Sequence, residues 1–136
     1  MLQQIHSKIY PKQLLASVVS TATDVFRTDA AGTEEILQVS LLKLPQSKTI
    51  QPHKHLPVAR TTHGTNEAWI VISGTLQAQV FDLDSSVADT VVLGAGDCMV
   101  LYRGGHNFTA LTDNALVYEI KNGPYYGSAI DSERIQ

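Results

Sequence analysis

From Glu67 onward the chain is cut at short intervals by clusters of turn-forming residues: SGT, DLDSSVAD, GAGD, RGGH, TDN and NGP. The runs between them are too short for helices and rich in β-branched and aliphatic side chains. Many short strands joined by tight turns can bury their apolar faces only as a sandwich or a small barrel. The predicted strands are Ile36 to Leu44, Ile50 to His55, Glu67 to Ser73, Thr75 to Leu83, Thr90 to Leu93, Asp97 to Tyr102, Asn107 to Leu111 and Ala115 to Lys121. Upstream, Leu14, Leu15, Val18, Val19 and Ala22 recur at helical spacing, which predicts a short N-terminal helix within Pro11 to Phe26.

With 136 residues the chain is the size of one domain. The expected organisation is an N-terminal extension over about residues 1–35, a β-barrel over about 36–121 and a tail over 122–136. A net charge of −3 without a Lys/Arg cluster argues against nucleic acid as a partner and favours a small molecule. One cysteine, Cys98, rules out an internal disulfide and a CxxC zinc site and fits a reducing compartment. The N-terminal stretch lacks an apolar signal core, and no run approaches a membrane span. The expectation is a soluble, cytoplasmic protein with no membrane partner.

The chemistry-bearing residues concentrate in QPHKHLPVARTTHGTNEAWIVISG, residues 51–74. In an extended strand His53 and His55, two residues apart, point to the same side. Glu67 opens an apolar strand, where a carboxylate must be compensated. His106 follows two glycines after the strand CMVLY. Three imidazoles and one carboxylate suit iron, manganese, nickel or zinc and leave coordination positions open. Arg60, in the segment before Glu67, can hold an anionic or carbonyl-bearing ligand. His63, Tyr102 and Glu119 are the remaining acid or base candidates, and His63 and Tyr102 are the catalytic candidates carried forward. Tyr102 is also a candidate for lining the ligand pocket. His6, Cys98, Trp69, Phe81 and Phe108 read as surface or core residues.

These motifs resemble those of the cupin superfamily. Its first motif, G(X)5HXH(X)3-4E(X)6G, is echoed by HKH at His53 to His55 and by E(X)6G from Glu67 to Gly74. Its second is echoed by Gly96, Gly104 and His106 in GDCMVLYRGGH. Eleven residues separate His55 from Glu67 where the family has three or four, and Tyr102 replaces the proline of the second motif. A rival within the same fold takes His63, three residues before Glu67, as a ligand in place of the HKH pair.

The resemblance implies an all-β fold, a cupin-type double-stranded β-helix or jelly roll, with one divalent transition metal held by His53, His55, Glu67 and His106. It also implies a homodimer. Cupins include isomerases and epimerases, oxygenases including dioxygenases, decarboxylases and non-enzymatic binding proteins. The tail VYEIKNGPYYG is similar to that of small cupins associated with surface polysaccharides. The expectation is a metal-dependent enzyme, an isomerase, epimerase or oxygenase, acting on a small polar or carbohydrate-like molecule. The competing expectation is a binding or sensor module without chemistry.

Overall fold

The computed structural model describes residues 1–136. Ten strands and one helical turn follow in chain order: β1 Leu2–His6, β2 Leu14–Val19, β3 Arg27–Asp29, β4 Ser40–Leu42, β5 Glu67–Ser73, β6 Leu76–Phe81, β7 Val87–Leu93, β8 Cys98–Leu101, β9 Gly105–Ala110, β10 Leu116–Lys121 and α1 Ser128–Asp131. They form three antiparallel sheets: five strands in the order β1-β2-β8-β5-β10, three in the order β7-β6-β9, and the ribbon β3-β4. No sheet closes on itself, so the expected barrel is an arrangement of open sheets. No helix is long and apolar enough to cross a membrane.

The larger sheets share one apolar cluster. Leu15, Val71, Met99 and Leu101 enter it from the five-stranded sheet, and Leu76, Ala78, Val80 and Leu93 from the three-stranded sheet. In β6 the alternation is clean, with Leu76, Ala78 and Val80 buried and Gln77, Gln79 and Phe81 half-buried, as expected of a strand with one face on a core. A second cluster lies on the other face of the five-stranded sheet. There Val19, Ala68, Val100 and Tyr102 are covered by Ala30, Leu37, Val39 and Leu41.

Three sequence expectations need correction. The stretch expected to be an N-terminal helix contains β2, because Leu14–Val19 lies between β1 and β8 and is buried on both faces. A strand buried on both sides is apolar throughout, and over six residues that pattern cannot be told from a helix. Val18 and Val19 tip the balance towards extended backbone. The strand expected over Ile36 to Leu44 shrinks to β4, which pairs only with the three residues of β3. Residues 50–55 form no strand, since nothing in the chain pairs with them, and every residue from 42 to 64 is exposed.

A buried carboxylate ties the two sheets together. Asp82, after β6, accepts hydrogen bonds from Ser7 Oγ at 2.6 Å, the Lys8 amide at 2.6 Å and the Leu83 amide at 2.7 Å. Burial pushes its pKa up, but these bonds outweigh burial and hold it below the usual carboxylate range. The connection between β1 and β2 is thereby pinned to the β6–β7 hairpin. Leu15 tests this architecture because it is fully buried in the shared cluster. Leu15→Ala should lower unfolding free energy in a denaturant titration by about 2–5 kcal/mol, the cost of an unfilled core position.

Candidate functional site

Glu67 begins β5, and its direct cross-strand partner on β10 is Lys121. Directly paired residues share a face, so both side chains project between the two large sheets. Lys121 Nζ lies 2.7 Å from Glu67 Oε1 and 3.3 Å from Glu119 Oε1. The indole Nε1 of Trp69, two residues along β5, donates to Glu67 Oε2 at 3.2 Å. His106 Nε2 approaches the same oxygen from β9 of the opposite sheet, also at 3.2 Å. Three donors thus converge on one carboxylate from three strands of two sheets.

The turn RGGH delivers His106. Gly104 has φ +72, and a Cβ there would run into the Phe81 carbonyl oxygen. Glycine is therefore required for the chain to enter β9 beside the end of β6. The imidazole is then steadied by Phe108, whose ring centroid lies 5.6 Å away and which itself stacks on Trp69 at 4.1 Å. On the other side, the ammonium of Lys121 sits 5.4 Å from the centre of the Tyr125 ring.

Burial is the largest single influence on the Glu67 carboxyl and pushes its pKa up. Hydrogen bonds from His106, Lys121 and Trp69 together outweigh it and hold the pKa at about 2. The partner Lys121 is raised, first by its bond to Glu67. Glu67 is therefore ionised and Lys121 charged at neutral pH.

Glu67, His106, Glu119, Lys121 and Tyr125 line a cavity of about 790 Å³ between the sheets. Only six of its 22 lining residues are hydrophobic, so its chemistry suits a polar occupant. Part of one wall comes from the C-terminal tail, where Asp131 accepts a 2.7 Å hydrogen bond from Thr65 and Ile135 lies against Gly105. Asn66 holds the entrance to β5: its side chain donates to the Tyr102 carbonyl at 2.9 Å, and its amide donates to Asn122 Oδ1 at 2.6 Å.

Of the residues singled out in the sequence, Glu67 and His106 meet. His53 and His55 form a separate exposed pair, with ring centroids 5.5 Å apart, and His53 Nδ1 lies 2.9 Å from the Gln51 carbonyl. No three His, Cys, Asp or Glu side chains come together as a group that could hold a metal. His63 and Arg60 are exposed in the same segment and outside the cavity lining, and Arg60 donates to the Val58 carbonyl at 3.2 Å. Tyr102 borders the cavity, but its side chain belongs to the second apolar cluster and its hydroxyl is buried. Burial raises that phenol to about 12 and the Cys98 thiol to about 11, so both stay protonated at neutral pH.

Lys121 and Arg103 line the cavity although no motif marks them, and Trp69, expected in the core, also donates to Glu67. One signal was available for Lys121: Val117, Glu119 and Lys121 alternate in β10 and so share a face. Compared with protein-family models, curated proteins and solved structures, the chain matches none.

The acid limb of stability follows from the Glu67 shift. Its folded pKa, about 2, lies below the ordinary 4.5, so its stabilisation is complete above pH 4.5 and is lost as pH falls from 4.5 towards 2. Glu67→Gln should flatten the fall in melting temperature across that window relative to wild type. The slope that persists belongs to Asp29, Asp82 and Asp84, which are also lowered. Parallel acid limbs for the two proteins would contradict the assignment.

Proposed function

We propose that the cavity binds a small, hydroxyl-rich molecule of the carbohydrate class and that His106, oriented by Glu67, transfers a proton on it, as an isomerase or epimerase does. The observation that carries this reading is the Glu67–His106–Lys121 cluster on the wall of a polar cavity. An ionised carboxylate accepting from Nε2 leaves Nδ1 as the free base. A proton on a carbon next to a carbonyl moves to Nδ1, the C–H pair becomes a C=C bond and the carbonyl π pair moves to its oxygen. The proton then returns to the same carbon on the opposite face after the intermediate turns over, as in an epimerase, or, once the hydroxyl proton has passed to the enolate oxygen, to the former carbonyl carbon, as in an isomerase. Lys121 contributes positive charge beside the site where the oxyanion develops. Ser85, Ser128 and Ser132 offer hydroxyls to a polyol, and Phe81 and Tyr125 offer ring faces.

What supports a cupin-type jelly roll is the pair of packed antiparallel sheets, with the first-motif glutamate and the second-motif histidine facing one another between them. A second reading keeps the metal. The convergence of His53 and His55 favours it, since two imidazoles on one side of the chain can share an ion. Iron, manganese, nickel or zinc would be held by His53, His55, Glu67 and His106, and would supply Lewis acidity when bound. The donor geometry is partial: the two pairs stand apart, and Lys121 already occupies one Glu67 oxygen.

One experiment separates these readings. A panel of aldoses, ketoses and their phosphates is incubated with the protein in D2O, with and without chelator, and C–H signals are followed by NMR. Proton transfer predicts loss of one C–H signal in chelator, slowed about 10²–10⁴-fold by His106→Ala. Exchange that stops in chelator and returns with one added metal favours the metal reading. Line broadening without exchange identifies a binding module and overturns the enzymatic assignment.

A further inference from the structure

Residues 42–64 are exposed without exception. Between residues 44 and 63 the hydrogen bonds are local: Lys48 to Pro45, Val58 to Leu56, His53 to Gln51 and Arg60 to Val58. Leu56 is 71% exposed and Val58 60%. A polar linker has no need of such residues. Their placement follows the period of a strand, with Ile50, Pro52, Leu56 and Val58 at even positions, interrupted by Lys54, and His53 and His55 at odd ones with Gln51 and Pro57. In extended backbone that pattern puts an apolar row on one side and both imidazoles on the other.

The body carries the complementary vacancy. β10 ends the five-stranded sheet and pairs only with β5, so one of its edges is free. On the outer face Tyr118, 64% exposed, stands opposite Ile70, with Ile72 and Ile120 beside them. A free edge with an apolar face is a template for another strand.

Charge is divided in the same way. Of ten Lys and Arg residues, Lys43, Lys48, Lys54 and Arg60 lie within residues 43–66, which contain no Asp or Glu. The rest of the chain therefore carries six cations against thirteen acids. The cavity beside β10 has five carboxylates among its lining residues and only three Lys or Arg. Lys43 already meets Asp24 at 3.6 Å, whereas Lys54 in the arm and Lys48 and Arg60 on either side of it have no acidic partner in the single chain, and the acidic body of a second copy offers one.

We propose that residues 50–58 of one copy add as a strand to the free edge of β10 in a second copy, which reciprocates, giving an arm-exchanged dimer. Strand addition supplies backbone hydrogen bonds, and alternation of side chains sets the register. Reciprocity gives the closed two-fold arrangement commonest among homo-oligomers. Pro52 and Pro57 differ in parity, so in an added edge strand one has its missing N–H on the solvent side and the other costs one ladder bond. With the even-numbered apolar row continuing the Tyr118–Ile120 face, His53 and His55 fall on the inner face with Glu119, Lys121 and Glu67. Each cavity then receives its imidazole pair from the other copy, a consequence that rests on the functional reading above, whereas the dimer does not.

Light scattering at micromolar concentration in chelator tests this, with three proteins compared: wild type, a variant whose residues 50–58 are replaced by nine Gly and Ser residues, and Tyr118→Lys. Wild type should be a dimer. Both variants should be monomers that keep the wild-type β-sheet circular dichroism, since the altered residues are exposed in the single chain. A monomeric wild type overturns the proposal, and protected amides over 50–58 in that monomer would show the arm folding onto its own body. A dimer that survives replacement of the arm overturns it too. The D2O exchange assay on the monomeric variants reports on the cavity chemistry separately.

Discussion

The start of β5 places a carboxylate inside a packed β structure, and the rest of the arrangement answers that placement. Glu67 is only 8% exposed, and an unpaired charge there would cost several kcal/mol. Antiparallel pairing sets Lys121 directly opposite it, and Trp69 and His106 supply two further donors. Those donors hold only if β5 and β10 keep their register and β9 keeps its distance from them. A slip of one residue in β10 would turn Lys121 to the outer face and leave Glu67 without its cation.

The same constraint links the apolar clusters to the polar cavity. The shared cluster fixes the separation of the two large sheets over most of their area. Near its edge Trp69 and Phe108 stack, and beyond them the sheets are lined by polar side chains. Asp82 clamps the other side of the cavity through the β1–β2 connection. His106 is thus positioned by rigid elements, as proton transfer requires, while the histidine-bearing arm remains outside this frame.

Legibility in the sequence followed how local the physics was. Strands β5 to β10 were readable because each is bounded by residues that dictate a turn, and Gly74 and Gly104 do sit at positive φ in those turns, although β7 begins at Val87, inside the stretch read as a turn, and not at Thr90. Glu67 and His106 were read as two ligands of one metal; what the structure shows is that the two side chains lie 3.2 Å apart. β2 was misread because burial on both faces erases the period that separates strand from helix. Lys121 was overlooked because its role comes from pairing with a residue more than fifty positions earlier, and no local pattern carries that register. The arm shows the reverse: residues 50–58 have a strand's alternation, but alternation specifies a face and not a partner, and the single chain supplies none.

Glu67 and Lys121 act as one unit inside the fold. A double-mutant cycle on unfolding free energy measures this directly, using wild type, Glu67→Gln, Lys121→Met and the double variant at neutral pH. If the pair is formed as described, the double variant should lose less stability than the sum of the two single losses, with a coupling of about 0.5–3 kcal/mol. Strict additivity would mean that the two side chains do not meet, and would remove the basis for placing the site between the sheets.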